Sequence, residues 1–139
     1  MTGPGKKLDP ASTLAVGFNT GHGSANVKLM ASWAPGLYHL ALAGILSVFT
    51  CANENIDARG EMRVMKQVIG ANVVLPASPC PFRACSTFHA PAMRETDWSC
   101  ANCVVYAVQG FAGSPAAALA AVSSPSGLHR QLSQIAKGL

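Results

Sequence analysis

From Leu29 to Ala52 the chain runs 24 residues without Asp, Glu, Lys or Arg. Water is a poor environment for such a tract, so the fold must either bury it or give it an apolar surrounding. Its densest part runs from Leu37 to Ala52, 16 residues, and Pro35-Gly36 stands just before it as a helix breaker. As a helix those residues would reach about 24 Å, a little short of a ~30 Å hydrocarbon core; Leu29 to Trp33 would add the missing length with a kink. Trp33 and Tyr38 lie near one end, where an interfacial belt places aromatic rings.

Three fates fit this tract. It can be a retained membrane span. It can be a cleaved secretory leader, since Thr50-Cys51-Ala52 offers small residues at both positions a signal peptidase inspects, although a long stretch precedes the apolar core. It can also be a buried core helix. The expectation carried forward is the anchor: a mostly α protein with little β, one hydrophobic membrane helix, an irregular cysteine-containing module and a disordered N-terminus. Its parts are a flexible arm over 1–28, the hydrophobic segment 29–52, and a small polar, cysteine-containing region over 53–139.

The arm is expected to be mobile because Gly, Pro, Asn and Ser punctuate it and only Leu14-Ala15-Val16 is apolar. After the tract, Glu54, Asp57, Arg59, Glu61, Arg63 and Lys66 concentrate charge, while Met62, Met65, Val68 and Ile69 recur at helical spacing. The pattern predicts a short amphipathic helix weakened at Gly60 and stopped by Gly70. Asn72 to Leu75 predicts a short strand, and Cys103 to Val108 predicts another. Ser114-Pro115 marks a helix start ahead of 116–122, and Leu128, Leu132 and Ile135 share a face of a last helix closed by Gly138.

Four of the five cysteines form two close pairs, Cys80/Cys85 and Cys100/Cys103, separated by fourteen residues. Two pairs on facing turns suit a tetrahedral zinc site, with His89 as an alternative ligand and Arg83 and Arg94 favouring thiolate. The spacing equally admits two disulfides in a secreted chain, or thiols of no special role. A redox pair at Cys100-Ala101-Asn102-Cys103 should open a helix after a strand, yet these residues precede a strand-like stretch.

Other residues carry weaker signals. His39 lies within the tract, either as an intramembrane proton site or, more simply, as a neutral ring in a packed core. His22 and His129 are isolated. Glu95 and Asp97 share a charged loop with Arg94 and form no apolar carboxylate pair, and Trp98 beside them is a partner anchor or a local plug. The formal net charge of +4 is scattered, with no basic run beyond Lys6-Lys7, which argues against nucleic acid as partner. No catalytic constellation stands out, so neither an enzyme nor a small-molecule substrate is expected.

The functional expectation is therefore a small non-enzymatic membrane-associated protein presenting its cysteine segment to a protein partner. The alternatives are a soluble or secreted zinc- or disulfide-stabilised binding module, and a weakly structured chain without defined activity.

Overall fold

The charge-free tract folds as a helix, a turn and a strand. In the computed structural model, which describes residues 8–89 and 98–139, α1 spans Val27–Leu42 and β2 spans Leu46–Cys51. Asn26 caps α1 by accepting from the Leu29 N–H, and the helix runs through Pro35. Gly44, with φ +68°, makes the turn that separates helix from strand. Beyond it Val48, Phe49 and Thr50 favour the extended state. Met30, Ala34, Leu37, Tyr38 and Ala41 line the buried face of α1, and Phe49 and Cys51 of β2 join the same core.

No helix among the described residues is long and apolar enough to cross a membrane. The membrane helix, and the membrane localisation drawn from it, are thus overturned: the chain's own core covers the tract. Cleavage after Ala52 would remove α1 and β2 together with the strand that pairs in parallel with β2.

That strand is β1, Leu14–Gly17, and it corrects the flexible arm. It pairs in parallel with β2, with Leu14 opposite Leu46 and Val16 opposite Val48. Three apolar residues among glycines offer little local signal, and their strand exists through that partner. Residues 1–7 lie outside the described part.

A long helical stretch follows. In the labels used below, α2 comprises a π-type turn at Glu54–Ala58, an α-helical segment Arg59–Arg63 and a π-type segment Val64–Ile69. The Asn53 side chain caps it, accepting from the N–H groups of Asn55 and Ile56, and Gly70 ends it in the left-handed conformation at φ 67°. Next come β3, Ala71–Pro79, and β4, Val104–Phe111. The C-terminal helices are α3, Pro115–Ser123, capped by Ser114, and α4, Pro125–Lys137, capped by Ser124.

The sheet order is β1-β2-β4-β3, with β4 antiparallel to both its neighbours. Among the described residues the architecture is α+β with four helices and a mixed sheet, not a mostly α chain. The helices cover one sheet face, whose Phe49, Cys51, Val104, Tyr106 and Val108 belong to the core. By register, Leu14, Val16, Leu46, Val48, Val105, Ala107 and Leu75 fall on the other face, without a formal charge among them. Leu14, Val16 and Leu75 are 56%, 47% and 40% exposed there, which is unusual for a solvent-facing sheet surface.

Candidate functional site

The carboxyl ends of β1, β2 and β3 meet the start of β4 at one end of the sheet. In open sheets this is where loops and ligands gather. Two arrangements occupy it here, a sealed polar cluster and an open basic cleft, and α2 contributes to both.

The cluster lies between the sheet and α2. Its members are Thr20 and His22 from the β1–α1 loop, Glu61 of α2, Tyr106 of β4 and Cys51 of β2. His22, Glu61 and Tyr106 are fully buried. Tyr106 Oη donates to Glu61 Oε2 at 2.7 Å and lies 2.9 Å from His22 Nε2. Thr20 Oγ1 lies 2.8 Å from His22 Nδ1 and 3.1 Å from Glu61 Oε1. Cys51 Sγ donates to Glu61 Oε2 at 3.3 Å.

Glu61, Thr20, His22 and Tyr106 therefore close a ring of four hydrogen bonds. Each hydroxyl has one proton, so four bonds require His22 and Glu61 to hold between them one proton more than a neutral imidazole and a carboxylate hold. Burial sets where it resides. It pushes the Glu61 carboxyl up to about 7, against lowering by bonds from Tyr106, Cys51 and Thr20, and pushes His22 down to about 3. Below about pH 7 the extra proton accordingly rests on Glu61 and the ring is uncharged. Burial, with Glu61 beside them, also raises the Cys51 thiol and the Tyr106 phenol.

Glycine makes this approach possible. The backbones at Gly23 and Gly60 meet so closely that a Cβ on either would overlap the other chain segment. A second link ties the β1–α1 loop to the start of β4: Thr50 Oγ1 donates to Asn102 Oδ1 at 2.7 Å, the Asn102 N–H to Asn19 Oδ1 at 3.0 Å, and the Asn19 N–H to Thr50 Oγ1 at 3.1 Å. Asn19 and Asn102 both have left-handed backbone, at φ 47° and 54°.

The cleft opens on the other side of α2. It encloses about 480 Å³ between α2, the end of β3 and the start of β4. Arg59, Arg63 and Lys66 project from successive turns of α2, Arg83 stands in the loop after β3, and Glu54 is the sole acid in the lining among the described residues. Ala58, Met62, Pro79 and Val104 supply apolar surface, with Cys103 and Ser78 between them. Arg59, Lys66 and Arg83 are exposed, whereas Arg63 Nη1 donates to the Gly138 carbonyl at 3.0 Å and so also closes the C-terminal end of α4. The volume falls in the range of small-molecule sites, ~300–1,000 Å³.

The cysteine pairs do not come together as a metal centre. Residues 80–88 and 99–103 run antiparallel: the Cys80 N–H donates to the Cys103 carbonyl at 3.0 Å, Ala84 to Ala101 at 2.8 Å, and Phe88 and Ser99 exchange both bonds. This pairing sets Cys80 opposite Cys103 and carries Cys85 out to an exposed position, while Cys80 and Cys100 are buried. Among the described residues no group of three or more His, Cys, Asp or Glu side chains is arranged to hold a metal ion, and the zinc reading is withdrawn. All five cysteines are free thiols. His89 stacks obliquely against Trp98 at 5.5 Å between ring centroids. Arg94, Glu95 and Asp97 lie outside the described residues.

His39 is neither intramembrane nor core: it sits exposed on α1 with its ring 5.5 Å from that of Tyr38. The isolated His22 is the histidine that matters to the interior. Glu61 did leave a trace in the sequence, being an acid on the helix face that Ala58, Met65 and Val68 direct into the core. His22, flanked by Gly21 and Gly23, left none.

Comparison of the chain with protein-family models, with curated proteins and with solved structures gives no match.

Proposed function

We propose that the chain is a binding module whose cleft takes a small anionic ligand, a carboxylate or phosphate compound with an apolar body. One observation carries this reading: Arg59, Lys66 and Arg83, with Arg63 beside them, line one cleft in which Glu54 is the sole acid among the described residues. Placing like charges together costs free energy unless an anion joins them, and the low-dielectric walls of a cleft strengthen its attraction. Guanidinium groups from opposite walls present planar, bidentate donors suited to carboxylate and phosphate oxygens. Met62, Val104 and Pro79 would accept the apolar remainder.

The buried polar ring is not placed to act on a ligand in the cleft. The ring of His22, Glu61 and Tyr106 is sealed from solvent, and its bonds are spent on one another. It holds α2 in place, and α2 carries three of the four cations.

Calorimetric titration with citrate and with inorganic pyrophosphate tests the proposal. Binding is expected to weaken steeply with added salt and to fall about tenfold or more in the double variant Arg59→Ala/Lys66→Ala, at unchanged thermal stability. Equal heats from an uncharged analogue, or an undiminished response in the variant, would overturn it.

A further inference from the structure

Cys103 lines the basic cleft and is half-buried, and Cys100 lies buried three residues before it, across the Ala101-Asn102 turn. The turn that joins them is tight: Asn102 is left-handed, the Cys100 N–H donates to the Ala52 carbonyl at 3.0 Å, and the Cys80 N–H donates to the Cys103 carbonyl. An accessible thiol backed by a second, shielded one is the arrangement that thiol–disulfide exchange needs, one sulfur to react and one to resolve. Arg83 lines the same cleft as Cys103, and its charge offsets part of the burial that raises the Cys103 thiol. We propose that Cys100 and Cys103 form a dithiol exchange site for low-molecular-weight disulfides bearing carboxylates, which the cleft's cations draw in. The proposal rests on the anion-binding reading of the cleft.

The step balances with the reagent disulfide as oxidant. The Cys103 thiolate attacks one reagent sulfur, a mixed S–S bond forms, and the other reagent half leaves as a thiolate that takes up the proton Cys103 lost. The Cys100 thiolate then attacks the Cys103 sulfur, closing the protein disulfide and expelling the second half as a thiol. Two protein thiols are oxidised and one reagent disulfide is reduced to two thiols. Burial, with the neighbouring Cys100 thiol, pushes Cys103 up to about 11, so the rate climbs with pH through the alkaline range.

The test uses the full chain carrying Cys85→Ser, which removes the exposed thiol outside the cleft. It compares dianionic dithiobis(nitrobenzoate), neutral dithiodiethanol and cationic cystamine, each rate divided by that of the same reagent with mercaptoethanol. The expected product is a chain lighter by two hydrogens, with a cross-linked Cys100–Cys103 peptide and two reagent thiols released. Cys100→Ser, or Cys100→Ala if the first variant does not fold, should stop at one released thiol and a stable adduct on Cys103. The normalised rates should favour the anionic over the cationic reagent by about tenfold at low salt, and the order should collapse in Arg59→Ser/Arg83→Ser. A cross-link elsewhere, no adduct on Cys103, or no charge order would overturn the proposal. Citrate titration of the same protein separates the two failures: if citrate binds while no cross-link forms, the exchange site alone is wrong; if citrate also fails, the cleft reading falls with it.

Discussion

His22 Nε2 and Glu61 Oε2 stand 3.5 Å apart with both side chains fully buried, and the Tyr106 hydroxyl bridges them. Between about pH 3 and pH 7 the pair retains one titratable proton, and this gives the protein a distinctive pH dependence. In the unfolded chain Glu61 titrates near its ordinary 4.5 and His22 near 6.5; in the folded chain these become about 7 and about 3. The raised carboxyl contributes stability that is full below 4.5 and lost as pH rises to 7. The depressed imidazole contributes stability that is full above 6.5 and lost as pH falls to 3. Between 4.5 and 6.5 the two slopes cancel, because folded and unfolded chains hold equal numbers of protons on this pair.

Glu61→Gln should expose the hidden slope. The amide reproduces the donor and acceptor pattern of the protonated acid but cannot titrate. The variant's unfolding free energy, measured against the parent by urea denaturation, should gain about 1.4 kcal/mol per pH unit between 4.5 and 7. A difference that does not vary with pH would show that the ring does not hold the proton.

Tyr106→Phe removes one hydroxyl and two ring bonds, leaving His22 Nε2 without its phenol partner and Glu61 Oε2 with the weaker bond from the Cys51 thiol. A loss of about 2–3 kcal/mol is expected in denaturant titration. A loss under about 0.5 kcal/mol, the range of an ordinary surface substitution, would contradict the ring.

Gly23→Ala should abolish cooperative unfolding, because its methyl group would overlap the backbone at Gly60 and Glu61. Gly113→Ala is the control: nothing stands within 4 Å of its Cβ position, and thermal melting should be unchanged. Equal melting of both variants with the parent would mean the β1–α1 loop does not meet α2.

Asn102 separates backbone from side chain. Asn102→Gly keeps the left-handed turn and loses the bond from Thr50, while Asn102→Ala loses both. The alanine variant should be less stable than the glycine variant by about 1 kcal/mol, readable as a difference in urea midpoint.

What the sequence disclosed was mostly what neighbouring residues decide. Ser114-Pro115 starts α3, Gly70 stops α2, and Leu128, Leu132 and Ile135 face the core from α4. Each is a capping or periodicity signal contained within one element. The tract from Leu29 misled because lack of charge describes a membrane span and a buried helix-turn-strand equally well, and Gly44 alone marks the division. β1 was hidden because Leu14 and Val16 form a strand only against Leu46 and Val48, more than thirty positions away. The cleft was legible in part. Arg59, Arg63 and Lys66 were visible as the polar side of a helix, but Arg83 reaches the same volume only through the course of β3, which no local pattern specifies.

The cleft's affinity for anions is the claim on which the functional account stands, and citrate titration followed by backbone amide shifts tests it most directly. Saturable, salt-sensitive shifts should concentrate at residues 58–67, 77–83 and 103–104 and vanish in Arg59→Ala/Lys66→Ala. Shifts scattered over the surface, or none at millimolar citrate, would contradict it.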